Sequence, residues 1–259
     1  MLFLLSPAKS LDYERPLPPD LPLRRPAHVA ESAVLIEALR TRSADEVAAL
    51  MDLSPALAQL NVDRYAAWRP RFTSKNSRPA LLAFDGDVYD GLDAKTLGPA
   101  DLAWADEHLV ILSGLHGLLR PLDALQPYRL EMGTALPNPR GPTLYAYWGE
   151  LVTDHLNRRA RAQVAPVVVN LASQEYFRVV RGDRLKPRVV ECVFEDWKDG
   201  QWKVIGFFAK RARGMMARHA VERRVETPDG LKDFSAAGYA YAEAASQPER
   251  LVFRRRSPP

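Results

Sequence analysis

The chain carries apolar runs only three to five residues long, each cut off by a polar or charged group. MLFLL at residues 1–5 stops at Ser6-Pro7, and ALLAF at 80–84 stops at Asp85-Gly86-Asp87. LVIL at 109–112 stops at Ser113-Gly114, and VVV at 167–169 stops at Asn170. Continuous runs of this length read as strands buried on both faces, because a half-exposed strand would alternate with period two. Between them lie longer segments with helical spacing, such as residues 27–40, where Val29, Ala33, Ile36 and Leu39 share one face. Short strands alternating with helices suit one domain of mixed layers, and 259 residues are large for one domain and small for two.

Local signals place the remaining elements. The proline-rich stretch 13–26 reads as an extended surface connection. Ser43 with Glu46 three residues later forms a capping box for a second helix, with Val47, Leu50 and Met51 as its apolar stripe. Ser54-Pro55 opens a third helical stretch reaching Trp68. Helices are expected over 99–108 and 143–161, and Ser173 caps a further one. Asp199-Gly200 marks a hairpin between strands 189–197 and 202–208. A basic helix spans 210–224, and a short strand follows at 251–253.

The strand ends carry Ser6 and Lys9; Asp85 and Asp87; Ser113; Asn170, Ser173 and Glu175; and Lys210, Arg211 and Arg213. In sheets flanked by helices, ligands collect where strand C-termini meet loops and helix N-termini, so these residues are expected to share a cleft. Positive charge is concentrated late in the chain: residues 203–259 hold 12 Lys/Arg against 6 Asp/Glu, or +6, while the whole chain carries +4. In the helix KRARGMMARHAVERR, six basic residues face one acid, Glu222, and spacing brings Lys210, Arg213 and Arg224 toward one side. Such a cluster is either a solvated face or a phosphate site.

Several chemistries lack their signatures. Phosphate-loop, dinucleotide-fingerprint and zinc-protease motifs are missing, and the five histidines lie without ligand spacing, so no metal and no cofactor is expected. The single cysteine, Cys192, excludes an intramolecular disulfide and sits in a strand as a small apolar residue. Residues 1–9 lack the basic start and long apolar core of a signal peptide, and no apolar run approaches the roughly 20 residues of a membrane helix. A cytoplasmic, non-membrane protein is expected. Nothing in the sequence sets an oligomeric state.

Residues 53–68, LSPALAQLNVDRYAAW, have the apolar spacing of a helix-hairpin-helix, with Gln59 and Asn61 where the turn glycines belong; an ordinary helix pair has the same spacing. Longer motifs carry a family resemblance: LSPAK (5–9), FDGDVYDGL (84–92), LSGLHGLLRPLDALQPYRLEM (112–132), LYAYWG (144–149), NLASQEYF (170–177) and FFAKRARGMMAR (207–218). Through these the chain resembles the bacterial YaaA family of peroxide-stress resistance proteins, nearly end to end. The resemblance implies a cytosolic DNA-binding protein linked to oxidative stress and DNA repair, and associated with lower free iron. It further implies a single α+β domain, with a mixed central sheet flanked by helices, a basic cleft and a helix-hairpin-helix, here within residues 44–69.

Two functions follow as expectations. In the first, Lys9, Arg64, Lys75, Arg78, Arg120, Arg129, Lys210, Arg211 and Arg213 bind DNA phosphates independently of sequence. In the second, the acids and tyrosines mixed among these cations form an enzyme site for a nucleotide or nucleic acid. There Lys9 or Lys210 steadies a phosphate, and Glu131 or Glu175 is base or nucleophile. Peroxide sensing by Cys192 is a third and weaker reading, since a reactive thiol needs exposure and nearby positive charge.

Overall fold

The computed structural model describes residues 1–19 and 21–256. Its centre is strand β1 (Leu2–Leu5), completely buried, with β5 (Leu109–Ser113) and β8 (Val167–Asn170) parallel on either side. The sheet continues from β8 to β9 (Arg188–Lys198) and β12 (Arg250–Arg255), both parallel to their neighbours. Antiparallel strands close its margins: β6 (Gly117–Leu119) beyond β5, β11 (Ala240–Tyr241) beyond β12, and β10 (Gln201–Lys203) on β9. The continuous apolar runs thus occupy the parallel centre, where both faces are covered. β9 alternates buried and partly exposed residues, as befits a strand nearer the margin. The result is the expected α+β domain with a mixed sheet.

Helices close around this sheet. α1 (Val29–Arg40), α2 (Ala44–Met51) and α3 (Pro55–Ala67) form a cap. α4 (Ala80–Ala83) and α5 (Asp87–Leu92) are short, and α6 (Pro99–His108) leads directly into β5. α7 (Leu144–Arg161) is capped by Thr143 and packs on β6. α8 (Gln174–Phe177) is capped by Ser173, and α9 (Gly206–Arg223) packs on β9, β1, α5 and α6. Two small ribbons tie loops down: β2 (Ser10–Leu11) with β4 (Phe84–Asp85), and β3 (Arg78–Pro79) with β7 (Ala124–Leu125). No helix of the described residues is long and apolar enough to cross a membrane.

Three local expectations are corrected. Residues 80–84 are a helical turn followed by the start of β4, rather than one strand. Pro79 enters with its φ already near the helical value, and Ala-Leu-Leu-Ala contains no β-branched residue to resist winding. The second arm of the hairpin ends at Lys203, because residues 206–208 already form the first turn of α9, where the Ala209 amide donates to the Ile205 carbonyl. The hairpin turn itself is as expected, with Asp199 and Gly200 both at positive φ, 53° and 77°, as its tight geometry requires.

The third correction concerns residues 53–68. α3 runs unbroken across Gln59–Asn61, where the hairpin turn was expected. Asn61 donates to the Leu57 carbonyl one turn back, and Gln59 donates to Asp63 one turn ahead. Without glycine, a left-handed turn here is disfavoured and helix wins. The real turn lies earlier, at Asp52 (φ 51°), and Ser54 takes up the Leu57 amide at the start of α3.

Candidate functional site

Parallel pairing of β1 with β5 and β8 brings their C-terminal ends to one edge of the sheet. There the Ser6 hydroxyl accepts the Ser173 amide at 2.9 Å, and the Tyr89 hydroxyl donates to the Ser6 carbonyl at 3.1 Å. At the end of β5, Ser113 Oγ lies 2.7 Å from the Tyr128 hydroxyl. A cleft of about 350 Å³ opens over Ser6, Tyr89, Tyr128 and Ser173.

Glycines decide which segments can reach it. A Cβ at Gly214 would lie 1.8 Å from the Val88 carbonyl oxygen, and one at Gly91 would lie 2.1 Å from that of Arg211. Only with hydrogen at both positions can α5 and α9 cross backbone to backbone. That crossing sets Asp87 and Tyr89 beside Lys210 and Arg213 in the cleft. At Gly114 a Cβ would lie 2.2 Å from the Leu130 carbonyl oxygen, so the 128–131 segment lies directly on the turn after β5. Trp148 fixes that turn through an Nε1–H bond to the Gly114 carbonyl at 2.7 Å. The segment 112–132 is therefore one wall of the cleft, supplying Tyr128, Arg129 and Glu131.

Charge in the cleft is mixed. Glu131 bridges two cations, with Lys9 Nζ at 3.1 Å from one oxygen and Arg129 at 3.1 Å from the other. Glu175 accepts the Gly133 amide at 3.0 Å and so holds the loop that follows Glu131. Asp85 and Asp87 also line the space. Facing these acids are Lys210 and Arg213, neither of which forms an ion pair or side-chain hydrogen bond among the described residues. Burial lowers the pKa of Arg213, with partial compensation from Glu191. A partly buried guanidinium without a bonded acceptor favours an anion in the cleft. The hydroxyls of Tyr89, Tyr128 and Tyr176 are all pushed upward by burial, so each stays protonated and able to donate.

Six expected site residues therefore meet: Lys9, Arg129, Glu131, Glu175, Lys210 and Arg213. Five do not line this cleft. Arg120 is bound to the buried carboxylate of Asp106, and Arg78 is buried beside Asp12, donating to the Arg15 carbonyl. Arg64 reaches Asn61 on its own helix, Lys75 is exposed on the loop after α3, and Arg211 is an exposed residue of α9. The cleft is not lined by cations alone, since four carboxylates balance its four basic residues. Tyr176 and Pro7 also line the cleft, without a clear sequence signal; an aromatic residue in a helical turn reads as core, and only its place beside Glu175 hints otherwise. Cys192 is 2% exposed and its thiol is pushed upward by burial, the reverse of what a reactive thiol requires. Among the described residues no group of three His, Cys, Asp or Glu is placed to hold a metal ion.

A family model described as peroxide stress protein YaaA matches residues 1–245. The chain is 64% identical to a UPF0246 protein of Leptothrix cholodnii, over 98% of each chain. It is 60% identical to one from Verminephrobacter eiseniae, over 100% of this chain and 99% of the relative. A UPF0246 protein of Bordetella petrii is 59% identical, covering 99% of this chain and 100% of its own length. The chain belongs to the YaaA family of peroxide stress proteins.

Proposed function

We propose that this peroxide stress protein protects DNA, and aids its repair, by taking one nucleotide unit of a strand into the strand-end cleft. The observation that carries this reading is the pair Lys210 and Arg213, which form no ion pair or side-chain hydrogen bond among the described residues and line a space of about 350 Å³. That volume suits a small ligand, whereas a duplex lies on an open surface. Phosphate on Lys9, Lys210 and Arg213 gives affinity without reading sequence, and a bulged or unpaired nucleotide reaches such a cleft more easily than a stacked one. Lowered free iron has no ligand set among the described residues to support it.

The test is anisotropy of a labelled duplex containing a one-nucleotide bulge, measured between about 50 and 200 mM salt. Affinity should fall steeply with salt, exceed that for the unbulged duplex, and drop in Lys210→Ala and Arg213→Ala. An affinity indifferent to salt, or unchanged in both variants, sinks the reading.

One observation favours chemistry on the bound unit as a second reading. Asp85, Asp87, Glu131 and Glu175 share the cleft, and phosphate binding alone has no need of them. In this reading Glu131, held between Lys9 and Arg129, or Glu175 acts as acid, base or nucleophile. Glu131→Gln and Glu175→Gln should then keep DNA affinity and lose protection against peroxide. If both variants protect as well as the parent protein, the site only binds.

A further inference from the structure

The first turn of α9 leaves an aromatic ring in solvent. Phe207 is 57% exposed, while every other Phe, Tyr and Trp of the described residues is buried or half-buried. Val204, just before the helix, is 54% exposed, so the ring does not stand as an isolated apolar group. The ring is also braced. Phe208 packs against it in an edge arrangement, with centroids 5.6 Å apart and planes at 66°. Phe208 is in turn covered by the Arg255 guanidinium at 4.6 Å, and Arg255 Nε donates to the buried carboxylate of Asp196 at 2.7 Å. These contacts hold Phe207 from one side and leave the rest of its surface open.

The surroundings of the ring are cationic. Positions three and four apart on a helix are surface neighbours, with Cβ atoms about 5–6 Å apart. Lys210 and Arg211 stand at those positions from Phe207, and both are exposed. Further along α9, Arg218 pairs with Glu222 at 2.8 Å and Arg224, just past its end, with Asp101 at 2.7 Å, whereas Lys210 and Arg211 form no ion pair among the described residues. Lys210 also lines the strand-end cleft. Phe207 therefore stands at the rim of that cleft, one helical turn from a residue inside it. A ring set between two unpaired cations is a poor match for an apolar protein surface. It matches a nucleic-acid strand, in which flat bases alternate with phosphates.

We propose that Phe207 is a stacking residue for DNA. The base next to the nucleotide held in the cleft lies on its ring, and Lys210 and Arg211 hold the neighbouring phosphates. The proposal rests on the reading of the cleft as a nucleotide site and extends it by a second base, outside the cleft. Every base has a π-face, so this contact adds affinity without reading sequence. A single strand presents both bases unpaired and is therefore the ligand that uses the whole site.

The test is anisotropy of the full chain with two short labelled strands of equal length, one of thymidines and one in which every base is missing. Phe207→Ala should weaken binding of the thymidine strand by about tenfold, as loss of one base–aromatic stack does, and leave the baseless strand unchanged. Phe207→Trp should bind the thymidine strand at least as well as the parent protein. Phe207→Leu, apolar but without a ring face, should behave like Phe207→Ala. Thymidine binding unaffected by Phe207→Ala, an equal loss for both strands, or full binding by Phe207→Leu overturns the stacking role. The phosphate reading then still stands if the parent protein binds the baseless strand. A parent protein that self-associates in sedimentation while Phe207→Ala is monomeric assigns the ring to a contact between copies and also overturns the proposal. Failure of the parent protein to bind either strand overturns both readings.

Discussion

Two regions of this protein mix arginine with acids, and they use the mixture in opposite ways. Near the N-terminal end of β5, the 1%-exposed carboxylate of Asp106 is surrounded: Arg24 and Arg120 pair with it, and the Leu122 amide donates to it at 2.9 Å. Arg159 bonds the backbone carbonyls of the same stretch, and Asp123 accepts the Arg120 amide at 2.8 Å. Every cation there is committed. In the strand-end cleft Glu131 is similarly held by Lys9 and Arg129, but Lys210 and Arg213 are left over. The lesson is that residue type does not separate a structural cation from a binding one. What separates them is whether the fold supplies the partner.

Substitutions should divide the two regions. The largest effect is expected for Arg120→Ala, which strips one of two arginine partners from buried Asp106 and should cost up to about 3 kcal/mol of stability. DNA affinity per folded molecule should stay unchanged. A chemical-denaturation midpoint equal to that of the parent protein would show that Asp106 is satisfied without Arg120.

Next in size is a pH effect at Asp123, whose carboxyl is pushed up to about 7, mainly by burial and further by Asp106. Its folded pKa lies above its usual value. The stability it contributes is therefore complete below the normal carboxylate range and is lost as pH rises through about 7. Asn at this position cannot ionise. Between pH 5 and pH 8 the parent protein should lose roughly 2–3 kcal/mol relative to Asp123→Asn. Histidine contributions are common to both chains and cancel. A stability gap that stays constant over this range contradicts the assignment.

The cleft cations should show the converse. Arg213→Ala and Lys210→Ala should each weaken binding of bulged DNA by about tenfold, near 1.4 kcal/mol, with little change in melting temperature. Arg64→Ala and Lys75→Ala, outside the cleft, should change affinity by less than about twofold. If Lys75→Ala matters as much as Arg213→Ala, the DNA lies across the cap and the contrast between regions fails.

The smallest effect probes the cap itself. Gln59→Gly should destabilise by roughly 1 kcal/mol, as glycine does inside a helix. A gain in stability would restore the hairpin turn that the sequence spacing suggests at residues 59–61.

Much of the fold was legible because its signals are local. β1, β5 and β8 follow from unbroken apolar runs, and the capping box of Ser43 and Glu46 forms as read, with Glu46 Oε2 accepting the Ser43 amide at 2.8 Å. The Asp199-Gly200 turn follows from the residues that tolerate positive φ. The hairpin at 53–68 misled because helix-hairpin-helix and plain helix share the same apolar spacing, and only the turn residues tell them apart. Of the site, the strand-end residues were visible as a set, since polar groups must terminate buried strands. Their division into six that meet and five that do not was not visible.

The amino-acid sequence by itself determined the buried strands, the caps, the tight turn and the family, because each depends on residues close together along the chain or on long contiguous motifs. Tertiary structure decided which charges are free. An arginine at position 120 finds a buried aspartate 14 residues away, while one at 213 finds none among the described residues, and both are written with the same letter. It also decided that α5 meets α9 through Gly91 and Gly214, a contact between residues more than 100 positions apart. Ion pairing and close packing act through space and fall off over a few ångströms, so no window along the sequence contains them.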